Sequence, residues 1–125
     1  MINYLGVDYG EKRIGLALGD DEMKIATPFK VVGNIDDLSQ IIKDEEIDIV
    51  VVGVPHQITN YKLPIAKEFE KFINALKDEI GIPVKRVDER LSSKAADALV
   101  GDKKTKAPRD TIAAMLILQS YLDKL

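Results

Sequence analysis

Residues 48–55 read Asp-Ile-Val-Val-Val-Gly-Val-Pro, and positions 49–55 form an uninterrupted apolar stretch of seven residues. A strand that is apolar at successive positions, rather than at every second one, is typical of a parallel strand with both faces covered. The stretch is far too short to cross a bilayer. It therefore predicts an interior strand at Asp48–Gly53 in an α/β protein.

Three short apolar runs precede this strand, at Ile2–Asp8, Arg13–Gly19 and Ile25–Val32. Turn-forming residues separate the runs, so each connection is tight. Antiparallel strands can be joined by tight turns, whereas parallel neighbours need a long crossover connection. The first three strands are therefore predicted to form an antiparallel meander.

Helical periodicity alternates with the remaining strands. The spacing of Leu38, Ile41, Ile42 and Ile47 predicts a helix that Asp36 or Asp37 is placed to cap. The other predicted elements are a helix at Leu63–Ile80 ended by Gly81, a strand at Ile82–Val87, a short helix at Ser92–Val100 and a largely apolar, buried helix at Arg109–Leu125. The order βββαβαβαα predicts one α/β domain over residues 1–125, a mixed sheet with helices on its faces.

Composition removes several kinds of chemistry. The chain of 125 residues has no cysteine and one histidine, His56, which excludes disulfides, cysteine-based metal sites and thiol catalysis. Twenty-one carboxylates remain as the groups able to do chemistry. The N-terminus begins directly in strand-like sequence, without the basic and apolar segments of a signal peptide, so a cytoplasmic protein with no membrane partner is expected.

The net charge of −3 conceals an uneven distribution. Residues 85–109 contain eight basic and four acidic side chains, whereas the rest of the chain contains ten basic and seventeen acidic ones. A local basic stripe on an acidic protein is compatible with a phosphate backbone bound along one face. A solvated, lysine-rich loop at Lys103, Lys104 and Lys106 explains the same charge without any ligand.

Carboxylates follow two of the predicted strands directly, as Asp8 and as the pair Asp88-Glu89, and Asp110 opens the last helix. In open α/β sheets, sites lie beyond the carboxyl ends of the parallel strands, so these acids are expected at one rim. Converging acids repel one another unless a cation lies among them, and oxygen ligands suit Mg²⁺ or Mn²⁺. Each acid also has a structural reading, as a turn residue, a loop acid or a helix N-terminal charge.

The segment Gly10-Glu-Lys-Arg-Ile-Gly15 has the glycine spacing of a P-loop but not its remaining features. Leu16 and Ala17 stand where lysine and a hydroxyl residue are required, and a strand follows where a helix is required. The segment is therefore no P-loop. Its glycine turn, with Lys12 and Arg13 beside Asp8, still brings backbone N–H groups and positive charge to where a phosphate could bind.

Four blocks of the sequence together resemble the YqgF family, also called RuvX. They are Val7-Asp-Tyr-Gly-Glu-Lys-Arg-Ile-Gly-Leu-Ala, Val51-Val-Gly-Val-Pro, Val87-Asp-Glu-Arg-Leu-Ser-Ser and Asp110-Thr-Ile-Ala-Ala-Met-Leu-Ile-Leu-Gln-Ser-Tyr-Leu. The blocks follow the family's order and spacing over essentially the whole chain. The resemblance implies a ribonuclease H-like fold related to the RuvC resolvases, with a five-stranded mixed sheet of three antiparallel and then two parallel strands.

The resemblance also implies a function. Family members are described as candidate nucleases for the 5′ end of the 16S ribosomal RNA precursor, and earlier as candidate Holliday junction resolvases. Metal-dependent phosphodiester hydrolysis is therefore expected, on RNA precursors in ribosome assembly intermediates or on branched DNA. A monomer and a homodimer both remain open, as does a catalytically weak module that only binds nucleic acid.

Carried over by position, the resemblance makes Asp8, Glu89 and Asp110 the catalytic, metal-ligating acids. Asp88 remains a further candidate ligand, because a strand end does not fix which adjacent side chain faces the site. The nucleic-acid contacts are expected from Lys12, Arg13, Arg90, Lys103, Lys104 and Lys106. The segment His56–Asn60 departs from the family pattern, since the glycine turn usual there is lost, which leaves substrate contacts in that loop undefined.

Overall fold

The computed structural model describes residues 1–10, 12–54, 64–88 and 109–125, without the side chains of residues 64–66 and 88. The strands are β1 (Asn3–Tyr9), β2 (Ile14–Asp20), β3 (Thr27–Val32), β4 (Ile49–Val54) and β5 (Val84–Asp88), and the helices are α1 (Ile35–Asp44), α2 (Pro64–Ile80) and α3 (Arg109–Leu122). The predicted helix at Ser92–Val100 and the segment His56–Asn60 lie outside the described residues.

The strands form one five-stranded sheet in the order β3-β2-β1-β4-β5. The antiparallel pairs are β1 with β2 and β2 with β3, while β1, β4 and β5 run parallel. The predicted meander and the predicted mixed sheet are therefore both confirmed. Because β1, β4 and β5 are parallel, their carboxyl ends meet at the same edge of the sheet.

Helices cover both faces of the sheet. On one face, Leu5 and Val7 of β1 pack with apolar residues of α1 and α2. On the other face, Tyr4 packs with Ala114, Ile117, Leu118 and Leu122 of α3. In β4, Val50, Val51 and Val52 are fully buried, which confirms the prediction of a strand covered on both sides.

Glycines in the sheet let α3 lie unusually close to it. A Cβ on Gly6 would lie 2.7 Å from the Ala114 carbonyl oxygen and 2.7 Å from the Leu118 Cβ. A Cβ on Gly53 would lie 2.9 Å from Ile117 Cγ1. Real Cβ atoms essentially never approach this closely, so the sheet accepts this helix because these positions have no side chain.

Several element boundaries differ from the predictions. Asn34, rather than Asp36 or Asp37, caps α1, because its side chain accepts a hydrogen bond of 2.8 Å from the Asp37 N–H. Ile47 lies beyond the helix, since Glu46 adopts a positive φ of 53°, although Ile47 is still buried in the core.

The strands and the last helix also shift by a few residues. β3 begins at Thr27 rather than Ile25, because the Ala26 N–H donates to Gln119 Oε1 at 2.9 Å and not to a neighbouring strand. β5 begins at Val84 rather than Ile82, after a proline that has no N–H to donate. β1 and β2 begin and end one residue later than predicted, and α3 ends at Leu122 rather than Leu125.

Among the described helices, none combines the length and the hydropathy that a membrane-spanning segment requires.

Candidate active site

Asp8 stands near the carboxyl end of the central strand β1, where the neighbouring residues fix its position. Val7 is fully buried, and the Tyr9 ring packs against Phe69 and Phe72 of α2 at centroid distances of 5.9 and 4.5 Å. Since side chains alternate along a strand, Asp8 falls on the α3 face, as Gly6 does. The half-buried Asp8 carboxylate is thereby held at the sheet edge predicted for the site.

Asp110, in the first turn of α3, reaches the same place from the other end of the chain. A Cβ on Gly15 would lie 2.9 Å from the Asp110 Cβ and would overlap the Asp110 carbonyl group. Gly15 is also the residue that pairs with Asp8 across β1 and β2. Directly paired residues have Cα atoms about 4.5–5.5 Å apart. Asp8 and Asp110 therefore flank Gly15 on one face of the sheet.

The donor set fits a hard divalent cation. Asp8 and Asp110 offer carboxylate oxygens, which are the ligands that Mg²⁺ and Mn²⁺ prefer. Within the described ranges, no group of three or more His, Cys, Asp or Glu residues is close enough to hold a metal ion. The third predicted ligand, Glu89, lies outside those ranges, and so does the side chain of Asp88.

Arg13 forms an ion pair with Asp110 that the sequence did not predict. Arg13 Nε lies 3.3 Å from Asp110 Oδ2, and the two side chains are 73% and 28% exposed. A positive side chain of the protein itself therefore already lies beside the Asp110 carboxylate. Lys12, on the same turn between β1 and β2, is exposed.

The basic stripe predicted over residues 85–109 is also partly neutralised. Arg86 donates to both carboxylate oxygens of Glu70 on α2, at 2.7 and 3.1 Å, and lies over the Phe69 ring. These hydrogen bonds hold the pKa of Glu70 below its ordinary value. Arg86 thus ties β5 to α2. The predicted nucleic-acid contacts Arg90, Lys103, Lys104 and Lys106 lie outside the described residues.

A second pKa shift lies at the opposite end of β1 and is unrelated to the carboxylates. Burial raises the pKa of the Tyr4 hydroxyl, and the neighbouring Tyr121 raises it further. The two rings are 5.6 Å apart and pack between β1 and α3. Tyr4 therefore belongs to the hydrophobic core beneath α3 and not to the candidate site.

Sequence comparison finds relatives over nearly the whole chain. A family model described as "RuvX: Holliday junction resolvase" matches residues 2–124. A protein of Desulfitobacterium hafniense named "Putative pre-16S rRNA nuclease" is 36% identical, over 95% of this chain and 90% of its own. A Bordetella pertussis protein of the same name is 34% identical, over 97% of this chain and 93% of its own.

Structure comparison finds the same fold in resolvases of low sequence identity. Thermus thermophilus RuvC in complex with a Holliday junction substrate matches with a TM-score of 0.66 at 14% identity, covering 99% of this chain and 96% of its own. A fowlpox virus resolvase in complex with Holliday junction DNA matches with a TM-score of 0.59 at 14% identity, covering 98% of each chain.

The sheet order, the helix placement and these structural matches define a ribonuclease H-like fold of the RuvC type. The family-model match and the relatives of more than 30% identity identify the family more closely. The chain belongs to the RuvX family, also called YqgF, and is thus a nuclease-class enzyme, a hydrolase acting on nucleic acid.

Proposed function

We propose that this protein is a nuclease dependent on Mg²⁺ or Mn²⁺ that trims the 5′ end of the 16S ribosomal RNA precursor. The relatives' shared name supports this substrate. The observation that carries the proposal is the meeting of Asp8 and Asp110 at Gly15, on one face of the sheet. Such an RNA substrate places the action in the cytoplasm, on ribosome assembly intermediates.

Glu89, rather than Asp88, is the third carboxylate of the proposal. Val87 pairs with Gly53 and packs into the core beneath α3, which is the face of Asp8 and Asp110. Position 88 pairs with Val54, which packs into the core on the opposite face. The family's Asp-Glu-Arg block likewise assigns the third ligand to Glu89, which lies outside the described residues.

Each residue then has a distinct role. Asp8, Glu89 and Asp110 would hold a divalent cation, which when bound would supply an activated water and stabilise the leaving oxygen of the phosphodiester. Lys12 and Arg13, exposed on the turn beside Asp8, neutralise the phosphates flanking the scissile bond. Arg90 neutralises phosphates near the scissile bond together with these two residues, and the lysines at 103, 104 and 106 extend positive charge along the nucleic-acid backbone farther away.

Cleavage of branched DNA is the second candidate function, favoured by the description of the matching family as a Holliday junction resolvase. The same carboxylates and phosphate contacts serve RNA and DNA, because neither kind of contact recognises the sugar or the base. The two functions differ in symmetry. Resolution of a four-way junction favours a two-fold dimer that cuts two strands, whereas trimming an RNA end needs one active site.

The decisive experiment compares cleavage of precursor 16S ribosomal RNA and of a four-way DNA junction, with Mg²⁺ and Mn²⁺ titrated separately. Asp8→Asn removes a ligand charge at nearly constant shape, so we expect cleavage to fall by at least about a hundredfold, the scale of losing one group that stabilises charge in the transition state. Circular dichroism checks that the variant remains folded.

Asp78→Asn is the matched control, because Asp78 is an exposed acid on α2, away from the α3 face. It should cleave as the wild type does. Retained metal-dependent cleavage by Asp8→Asn would refute the assignment of the site. Binding without cleavage, at any concentration of either ion, would instead favour a module that binds nucleic acid and does not hydrolyse it.

A further inference from the structure

The ion pair between Arg13 and Asp110 is asymmetric. The Asp110 carboxylate is held at the sheet by the close contact of its backbone with Gly15, and its side chain is 28% exposed. The Arg13 side chain, 73% exposed, extends from a turn and lies mostly in water. Of the two partners, Arg13 is therefore the one able to leave without disturbing the fold.

The geometry of the contact is also that of a weak pair. It joins Arg13 Nε to one carboxylate oxygen at 3.3 Å. The pair between Arg86 and Glu70 is different, because two guanidinium nitrogens there reach two oxygens at 2.7 and 3.1 Å. Exposed, singly bonded ion pairs contribute little free energy, since water solvates both charges nearly as well.

A divalent cation bound by Asp110 would compete with this contact. The cation and the Arg13 guanidinium both need the Asp110 carboxylate. If both were bound to it, they would lie close enough to repel each other. Once displaced, the guanidinium would be repelled by the bound metal unless an anion lay between the two positive groups. A phosphate is such an anion, because its oxygens accept the paired hydrogen bonds that a guanidinium donates.

We propose that Arg13 is an exchangeable counter-ion: it holds Asp110 in the metal-free protein, is displaced by the divalent cation, and then binds the substrate phosphate. This inference rests on the proposed metal site. Arg13 is thus the counter-ion of Asp110 before metal binds and a phosphate ligand afterwards. Metal and nucleic acid consequently bind with positive coupling, since each favours the state in which Arg13 has left Asp110.

The test measures metal affinity rather than cleavage. Mn²⁺ is titrated calorimetrically into the full chain, without nucleic acid, for the wild type, Arg13→Gln and Lys12→Gln. Both variants remove one positive charge from the same exposed turn. Lys12→Gln therefore measures how much of the change in Mn²⁺ affinity comes from the lost charge alone, without the ion pair to Asp110. We expect Arg13→Gln to bind Mn²⁺ about two- to fivefold more tightly than wild type, because that is the range of affinity that the loss of an exposed ion pair allows. The Mn²⁺ affinity of Lys12→Gln should change less.

A second measurement follows Arg13 directly. In a ¹H–¹⁵N spectrum of the arginine Nε–H groups, saturating Mg²⁺ should shift the Arg13 signal, and adding a short single-stranded oligonucleotide should shift it again. Equal Mn²⁺ affinities for the two variants, or an Arg13 signal unchanged by Mg²⁺, would overturn the exchange while leaving the metal site intact. Failure of the wild type to bind either ion would overturn the proposed function itself.

Discussion

Among single residues, Gly15 decides where one of the candidate catalytic acids stands. Its missing side chain lets the first turn of α3 rest on β2, and its partner across the strands is Asp8. Any other residue at position 15 would push Asp110 away from the sheet. A glycine can therefore matter to a carboxylate site without contributing any atom to metal binding.

Gly15→Ala should for this reason weaken the site and the fold together. Overpacking a close contact costs about 1–3 kcal/mol, and we expect a loss of that size in the free energy of unfolding measured with urea. Mn²⁺ affinity measured by calorimetry should fall as well, because Asp110 moves away from Asp8.

Gly33→Ala provides the matched control for this substitution. A Cβ at Gly33 meets no heavy atom within 4 Å, and the residue is exposed. The unfolding free energy should change by less than about 0.5 kcal/mol. If Gly15→Ala were equally neutral in stability and in Mn²⁺ affinity, the close contact would not be what positions Asp110.

The pair between Glu70 and Arg86 predicts a pH-dependent contribution to stability. Because the pKa of Glu70 is lowered in the folded protein, the pair stabilises above the carboxylate's unfolded-state pKa of about 4.3 and is lost as pH falls through the folded-state value. The Arg86 side chain is 39% exposed and the Glu70 side chain 43% exposed. Because water screens such a pair, Glu70→Gln should cost no more than about 1 kcal/mol of unfolding free energy at pH 7.

The measurement is urea unfolding of wild type and Glu70→Gln at several pH values between 7 and 3. The difference in unfolding free energy should shrink towards the acid end of this range. Glu79→Gln, an exposed substitution on the same helix, should differ from wild type by less than about 0.5 kcal/mol throughout. A Glu70→Gln difference that grew as pH fell would contradict a lowered pKa of Glu70 in the folded protein.

The sequence predicted Asp8 and Asp110 as site residues because each follows or opens a recognisable element. It did not predict the ion pair to Arg13, because nothing in a local pattern shows that two residues so far apart in the chain meet. The contact depends on how α3 crosses the sheet, and that crossing depends on close approaches at Gly6 and Gly53. Composition alone does not distinguish such glycines from those of turns.

Among the helices, α1 begins with a specific cap. Asn34 adopts an extended backbone, and its side-chain oxygen accepts the Asp37 N–H. The sequence predicted Asp36 or Asp37 as the cap, whereas Asn34, of an equally preferred type, is the residue that caps the helix. The sequence of these residues does not show which of them caps the helix. The packing of Ile35 and Leu38 against the core does, because it fixes where the helix begins.

Asn34→Ala should therefore destabilise the protein by about 1 kcal/mol, the usual effect of losing a side-chain cap. Asn34→Asp should retain most of the stability, because a carboxylate accepts the same hydrogen bond and its charge is favourable at a helix N-terminus. Thermal unfolding of the two variants beside wild type measures both effects. Equal losses in the two variants would show that the cap is not the cause.

The start of β3 shows a different limit of local prediction. Gln119 on α3 accepts the Ala26 N–H at 2.9 Å and donates to the Lys24 carbonyl at 2.8 Å. These bonds hold the loop before β3 against the helix, so Ile25 stays outside the sheet and 56% exposed. A β-branched residue in an apolar run indicates a strand, and only the distant glutamine overrides that preference.

Across the molecule as a whole, β1 and the first turn of α3 bring Asp8 and Asp110 to one edge of the sheet, while positive charge is concentrated in residues 85–109 of the sequence. Arg86 forms an ion pair with Glu70, and the proposed phosphate contacts of this segment are Arg90, Lys103, Lys104 and Lys106. Phosphate contacts release counterions, so binding driven by them weakens as salt increases.

Replacing Lys103, Lys104 and Lys106 together by alanine should reduce this salt dependence. The slope of log K against log[salt] is expected to fall by up to about 0.9 for each lysine that contacts a phosphate. Fluorescence anisotropy of a labelled RNA measures the slope. The control replaces three exposed lysines of α1 and α2, Lys43, Lys71 and Lys77, with the same change in net charge. Identical slopes for the two triple variants would contradict a specific role for Lys103, Lys104 and Lys106.

The placement of α3 has a further consequence during synthesis on the ribosome. The strands of the described sheet all precede this helix in the chain, so the sheet emerges before the helix that closes one of its faces. Until residue 110 has left the exit tunnel, the nascent polypeptide lacks one of the acids assigned to hydrolysis. The apolar sheet face under α3, which includes Tyr4, Ala17 and Val51, also stays uncovered until this helix has been made.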